Sequence, residues 1–141
     1  MTKHLVILSN RMRRSTEAIL RSKGVLNYFG EVFAPEEISE RVTKRVREVL
    51  EKYGARENPP IALVEMRKLC VFIGDSNVDI DSAHEQGPIL TIATLQGMGS
   101  ERVLRHARPY KIASSLIEVV DALKEIRENP EKCYDEHLIN C

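Results

Sequence analysis

The short apolar run Leu69 to Ile73 leads into Gly74-Asp75-Ser76-Asn77-Val78-Asp79, and a helical segment follows from Asp79 to Gln86. Nothing else in the sequence narrows the fold as much. An apolar run of that length, bounded by turn residues, reads as a buried parallel strand. Two carboxylates stand at its C-terminal end, the end of an open α/β sheet where ligands bind. An acidic pair on a turn suits a hard cation such as Mg²⁺, which takes a few oxygen ligands and keeps its waters. The same two side chains also read as caps of the helix that follows.

Strand and helix signals alternate along the rest of the chain. His4 to Leu8 is apolar and is broken by Ser9-Asn10; Arg13 to Lys23 reads as a helix that stops at Gly24. Glu31 to Ala34 predicts a short strand ended by Pro35. Val42, Val46, Val49, Leu50 and Tyr53 mark one apolar face of a helix that stops at Gly54. Ala55 to Pro60 is a loop, and Ile61 to Met66 reads either as an extra strand or as a helical turn. Beyond the acidic turn, Gly87-Pro88 breaks the helix and Ile89 to Thr94 is a second buried strand. The loop Gln96 to Ser100 follows, with Ser100 as cap of a short helix to His106. Tyr110 to Ala113 predicts an edge strand. Ser115-Leu116-Ile117-Glu118 is a capping-box pattern, with Leu116, Val119, Val120, Leu123 and Ile126 as the buried face of the last helix. This order predicts one α/β domain with a mainly parallel sheet over residues 1–127 and a C-terminal tail over 128–141.

The charge balance excludes several function classes. Among 141 residues, 21 basic and 21 acidic side chains cancel, so no global field draws in nucleic acid or an anionic membrane. Arg11, Arg13 and Arg14 form a local basic cluster, read as a solvated helix start or as a phosphate contact. No apolar run reaches a membrane-spanning length, and Met1-Thr2-Lys3-His4 enters a strand directly, which predicts a cytoplasmic protein without a signal peptide. Three cysteines make no disulfide framework. Cys70 reads as a small buried hydrophobe. Cys133, His137 and Cys141 are spaced to share a helix face, which is either a metal-ligand arrangement or a frayed, reduced tail.

Polar residues close two of the expected strands: Ser9-Asn10 the first, Asp75 the acidic one. In a single parallel sheet those ends share a rim, where a hydroxyl, an amide, a basic residue and a carboxylate-held cation would cradle a phosphoryl group. Alone, Ser9-Asn10 is also an ordinary strand-to-helix turn. The combination resembles the C-terminal two-thirds of a haloacid dehalogenase superfamily hydrolase of the phosphoglycolate phosphatase type. Leu5-Val6-Ile7-Leu8-Ser9-Asn10 resembles that family's second motif, and Val71 to Ala83 is similar to its fourth: strand, Gly-Asp, a second Asp, then helix. Gly24, the Ile89 to Thr94 strand and the Gly97/Gly99 loop follow the same pattern, so the likeness runs from about His4 to Leu123.

The resemblance implies a three-layer Rossmann-like core and a set of roles. Ser9 would hydrogen-bond a phosphoryl oxygen, and Asn10 would contact the substrate, a small phosphorylated molecule. Asp75 would bind Mg²⁺, with Asp79 as a further ligand or as the orienter of a basic residue. That basic residue is a Lys in the family. The matching stretch here, Glu40 to Lys44, offers Arg41 or Lys44, while Asn58-Pro59 has the motif's shape with Asn in place of Lys.

The family nucleophile, the first Asp of an Asp-x-Asp motif on the central first strand, has no counterpart. Asp79-Ile80-Asp81 is the sole such triplet, and it lacks the apolar strand needed to present a nucleophile. The resemblance therefore implies a sheet whose central first strand is missing. The strands on either side must then pair directly into a closed four-stranded core, or a second copy or partner chain must cover the seam. Three readings follow: a weak or inactive phosphatase homologue, a phosphatase fragment completed by another polypeptide, or an interaction module that keeps only the fold.

Overall fold

The computed structural model describes the backbone of residues 4–35 and 42–140. The chain divides into two compact units, Met1–Val49 and Leu50–Cys141, with the division inside one helix.

In the first unit, β1 (Val6–Leu8) lies parallel to β2 (Glu31–Phe33), with Val6 opposite Glu31 and Leu8 opposite Phe33. A parallel pair needs a crossover, and α1 (Arg13–Ser22) with a 3₁₀ turn at Leu26–Tyr28 supplies it. The helix ends where the sequence predicts, at Gly24, whose φ is +69°. Val32, Phe33, Ala34 and Pro35 are buried. The helix α2 (Val42–Ala55) then begins, and Arg45 and Val46 are its first buried side chains among those described.

The second unit holds the larger sheet. After the end of α2 come α3 (Leu63–Leu69), β3 (Val71–Gly74), α4 (Asn77–His84), β4 (Leu90–Thr94), α5 (Glu101–His106), β5 (Lys111–Ala113), α6 (Leu116–Glu128) and α7 (Pro130–Asn140). The strand order is β3-β4-β5, all parallel, with Ile73 opposite Ile92 and Ile92 opposite Lys111. Alternation along β4 builds two cores. Leu90 and Ile92 point to one side, with Ala113, Val119, Ala122, Ile126 and Cys133. Ala93 points to the other, with Ile80, Leu104 and Ala107. The sheet is thus the middle of three layers, with α6 and α7 on one face and α4 and α5 on the other.

Several expectations need correction. The Leu69–Ile73 run is not a buried strand: Leu69 ends α3 and is 66% exposed, and Ile73 in β3 is 43% exposed. The reason is topological: among the described residues β3 pairs with β4 alone and is an edge strand of its sheet. Among the described residues the strands form a two-stranded sheet, β1-β2, and a three-stranded sheet, β3-β4-β5. Ile61 to Met66, ambiguous in sequence, enters α3. On α6 the buried stripe is Val119, Ala122 and Ile126, while Leu116 and Val120 lie at its margin and are exposed. The expected frayed tail is the helix α7, which buries Cys133 and His137. Among the described residues, no helix is long and apolar enough to cross a membrane.

Candidate functional site

The turn after β3 is built by its own side chains. Ser76 is the N-cap of α4 and its Oγ accepts the Asp79 N–H at 3.3 Å. In return Asp79 Oδ2 accepts the Asp75 and Ser76 backbone N–H groups, each at 3.2 Å. Such a reciprocal box satisfies donors that a helix start leaves orphaned, and the carboxylate also meets the positive end of the helix dipole. One oxygen of Asp79 is therefore committed to capping. Ser76→Ala is expected to destabilise the protein by about 1 kcal/mol, measurable as a lower urea midpoint with unchanged slope.

Asp75 is placed differently. Its carbonyl accepts the Gly99 N–H at 2.9 Å, and its Oδ2 accepts the Met98 N–H at 3.3 Å. The loop after β4 thus wraps the Asp75 side chain, and a Cβ on Gly97 would fall on the Asp75 Cβ, Cγ and Oδ2. This close approach explains the glycine-rich sequence of the loop. It leaves a half-buried carboxylate at the C-terminal end of a parallel strand, with one oxygen held by a single amide.

The donor set decides what this turn can hold. Among the described residues, no group of three or more His, Cys, Asp or Glu side chains converges as metal ligands. Asp75, with the remaining oxygen of Asp79, fits a cation that keeps several waters and shares phosphate oxygens, as Mg²⁺ does, and not one that needs a closed protein cage. Cys70, just before β3, is no substitute nucleophile, because burial pushes its thiol up to about 11.

In the first unit Ser9 follows β1. Its N–H donates to the Phe33 carbonyl at 3.0 Å, and its Oγ accepts the Arg11 N–H at 3.0 Å. The buried Thr16 hydroxyl lies 3.4 Å from the same oxygen and also bonds the Arg11 and Met12 carbonyls, both at 3.1 Å. Ser9 is therefore both the turn residue of the plain reading and a hydroxyl whose proton is left to donate. Asn10 is exposed on the same turn. Of the basic cluster, Arg13 is engaged, donating to the Val32 carbonyl at 2.5 Å and lying 3.9 Å from Glu17; Arg11 and Arg14 are exposed.

The remaining candidates fare unequally. Arg41 lies outside the described residues, and so does the side chain of Lys44 in α2. The helix that directly precedes β3 is α3, and Asn58-Pro59 lies just ahead of it. Sequence reasoning also passed over Arg45, which α2 buries to 5% exposure. The signal was present: position 45 falls on the stripe through Val42, Val46 and Val49, and a buried cation requires partners. On α7, Cys133 and His137 face the interior, and Cys141 lies outside the described residues. Ser9-Asn10 follow a strand of the first unit, and Asp75 and Asp79 follow a strand of the second.

No protein-family model and no curated protein matches the chain. Solved structures do. A protein assigned as a phosphatase from Clostridium difficile matches with TM-score 0.73 and 21% identity over 86% of this chain and 53% of that one. A haloacid dehalogenase-like family hydrolase from Streptococcus pneumoniae matches with TM-score 0.68 and 19% identity over 85% and 52%. A predicted phosphoglycolate phosphatase from Haemophilus somnus matches with TM-score 0.67 and 20% identity over 85% and 49%. The chain spans about half the length of these proteins. Over the part that it spans, it has the α/β fold of the haloacid dehalogenase-like hydrolases.

Proposed function

We propose that the chain is a haloacid dehalogenase-like phosphohydrolase homologue that binds a phosphorylated small molecule with Mg²⁺ and carries no nucleophile of its own. The observation that carries this reading is Asp75: a half-buried carboxylate at the C-terminal end of a parallel strand, wrapped by a glycine loop and free of the capping duty that occupies Asp79. A divalent cation held there would neutralise phosphoryl charge. Ser9 would donate its hydroxyl proton to a phosphoryl oxygen, Asn10 would contact the ligand, and Asp79 would keep the Asp75 turn in place through its backbone bonds. Arg41, Lys44 and Arg45 are the candidates for a basic group, and Asn58-Pro59 has the shape of the family's basic motif with Asn in place of Lys. The reaction class is phosphoric monoester hydrolysis only where a carboxylate from outside this sequence supplies the in-line attack.

One observation favours completion by another chain over a free-standing binding module. Among the described residues β3 pairs with β4 alone, and an edge strand presents main-chain donors and acceptors to a further strand. The partner is then a strand of a second polypeptide or a second copy of this chain.

The test is thermal unfolding with and without Mg²⁺, beside hydrolysis of a generic aryl phosphate. Mg²⁺ at about a hundred times its dissociation constant should add about 2.7 kcal/mol of stability, and Asp75→Asn should abolish the gain. Turnover by the isolated chain should not exceed that of Asp75→Asn. Turnover that Asp75→Asn removes would overturn the missing nucleophile, and an equal Mg²⁺ response in both proteins would overturn the metal site.

A further inference from the structure

The second unit sets a half-buried imidazole against a buried one. His84, at the end of α4, and His137, on α7, have ring centroids 5.2 Å apart, and His137 is wholly buried. His84 Nε2 lies 3.1 Å from Thr91 Oγ1 on the central strand. The Tyr110 N–H donates to the Thr91 carbonyl at 2.9 Å and is shared with Oγ1 at 3.3 Å, and with a neutral Nε2 acceptor the Thr91 hydroxyl proton goes to the ring. The His84 ring also bonds the Ala107 backbone, and the His137 ring bonds the Ile89 backbone while the Tyr110 ring meets it edge-on at 6.0 Å. The arrangement suits two neutral rings. A proton on Nε2 would turn it into a donor and leave the Thr91 hydroxyl proton to find another acceptor.

The attachment of α7 depends on these rings. An isolated helix of eleven residues is marginal in water, so docking must hold it. Among its described side chains, Cys133 and His137 alone are buried, Tyr134 is partly so, and Leu138 is 43% exposed. Cys133 lies in the cluster with Leu90, Ile92 and Ile126, and His137 against His84 and Tyr110. One of the helix's few anchors is therefore titratable.

We propose that the His84–His137 contact is a pH-sensitive latch, holding α7 against its sheet while both rings are neutral and releasing it when either takes a proton.

The surrounding groups do not offset the cost of that proton. Burial lowers the affinity of both rings for it, and His84 lowers that of His137 further; Asp81 on α4 and the Ala107 backbone oppose burial at His84, and the Ile89 backbone at His137, without reversing its direction. Cys133 and Glu136 of α7 and Glu125 of α6 surround Tyr110, whose phenol burial keeps protonated, and Lys111 is paired with Glu125 at 3.8 Å. Both rings thus fall below the ordinary value of 6.5 in the folded chain. The unfolded or released state binds more protons from about pH 6.5 downward. Docking is at full strength above that pH and weakens progressively below it, until the pH falls through the lower values of the folded rings.

Native-state hydrogen exchange of the α7 amides in the full chain tests this from pH 7.5 to 5. After correction for intrinsic exchange, the opening constant should rise up to about tenfold per pH unit for each proton taken up, at most about a hundredfold for two. His137→Gln should lower that dependence by about tenfold per unit. Protection of α7 that is flat between pH 7.5 and 5, or a dependence unchanged in His137→Gln, would overturn the latch. Should that variant fail to fold, an NMR titration of the wild-type rings decides. Rings that stay neutral well below pH 6.5, with loss of α7 signals on protonation, support it. Rings that both charge at 6.5 while α7 stays docked overturn it.

Discussion

Ile92→Ala should cost about 2–5 kcal/mol of unfolding free energy, the range for emptying a well-packed aliphatic site. Ile92 is wholly buried at the middle of β4, in contact with a cluster that includes Leu90, Ala113, Val119 and Ile126. Its strand is pinned on both sides, opposite Ile73 on β3 and Lys111 on β5, so the backbone cannot collapse into the cavity. A chain of this size loses roughly 3–5 °C in Tm per kcal/mol, and the drop should exceed 6 °C by about that scale. The informative control is its neighbour across the ladder. Ile73 is 43% exposed on β3, and Ile73→Ala should cost less than about 1 kcal/mol. A urea series on both variants reads the difference. Equal losses would mean that β3 is covered in solution, as a second copy on the β3 edge would require.

The pair also shows what was legible in the sequence. The apolar run before Gly74 announced a parallel strand, and its type and direction are as read. Its burial was not legible, because burial depends on how many neighbours a strand has, and no local pattern states that. The alternation of elements gave nearly every helix and strand, since caps and breakers such as Ser100, Ser115 and Gly24 act locally. The helix α7 was missed because its anchors are Cys133 and His137, residues that carry no strong apolar periodicity, whereas their burial comes from the partners they meet. At the site, Asp75 and Asp79 were found together but with their duties undivided. Their spacing fits both a metal turn and a capping box, and only the backbone bonds to Asp79 Oδ2 separate the two. Arg45 lay on a visible stripe, but a charge on an apolar face has no local signature of what pairs with it.

The second large effect is expected at Gly97, where one added methyl group should uncouple the candidate site from the fold. The Gly97 Cα faces the Asp75 side chain so closely that a Cβ would overlap its Cβ, Cγ and Oδ2 together. The Asp75 Cβ is fixed by the backbone of the turn and cannot swing aside as a chain end would. The turn is itself held by the capping box of Ser76 and Asp79 and by the Gly99 N–H on the Asp75 carbonyl. Relief therefore has to come from the loop, with loss of the Met98 N–H bond to Asp75 Oδ2. Overpacking of this kind costs about 1–3 kcal/mol. The more specific consequence is for ligand response. A loop moved off Asp75 changes the direction and the hydration of its free oxygen, and a small cation that demands near-octahedral geometry tolerates little of either. Gly97→Ala should melt lower than the parent and show little of its Mg²⁺ stabilisation, while Ser76→Ala should lose stability and keep that response. A full Mg²⁺ shift in Gly97→Ala would place the cation away from Asp75. A shift lost in all three variants, Asp75→Asn included, would tie it to the integrity of the whole turn rather than to one carboxylate.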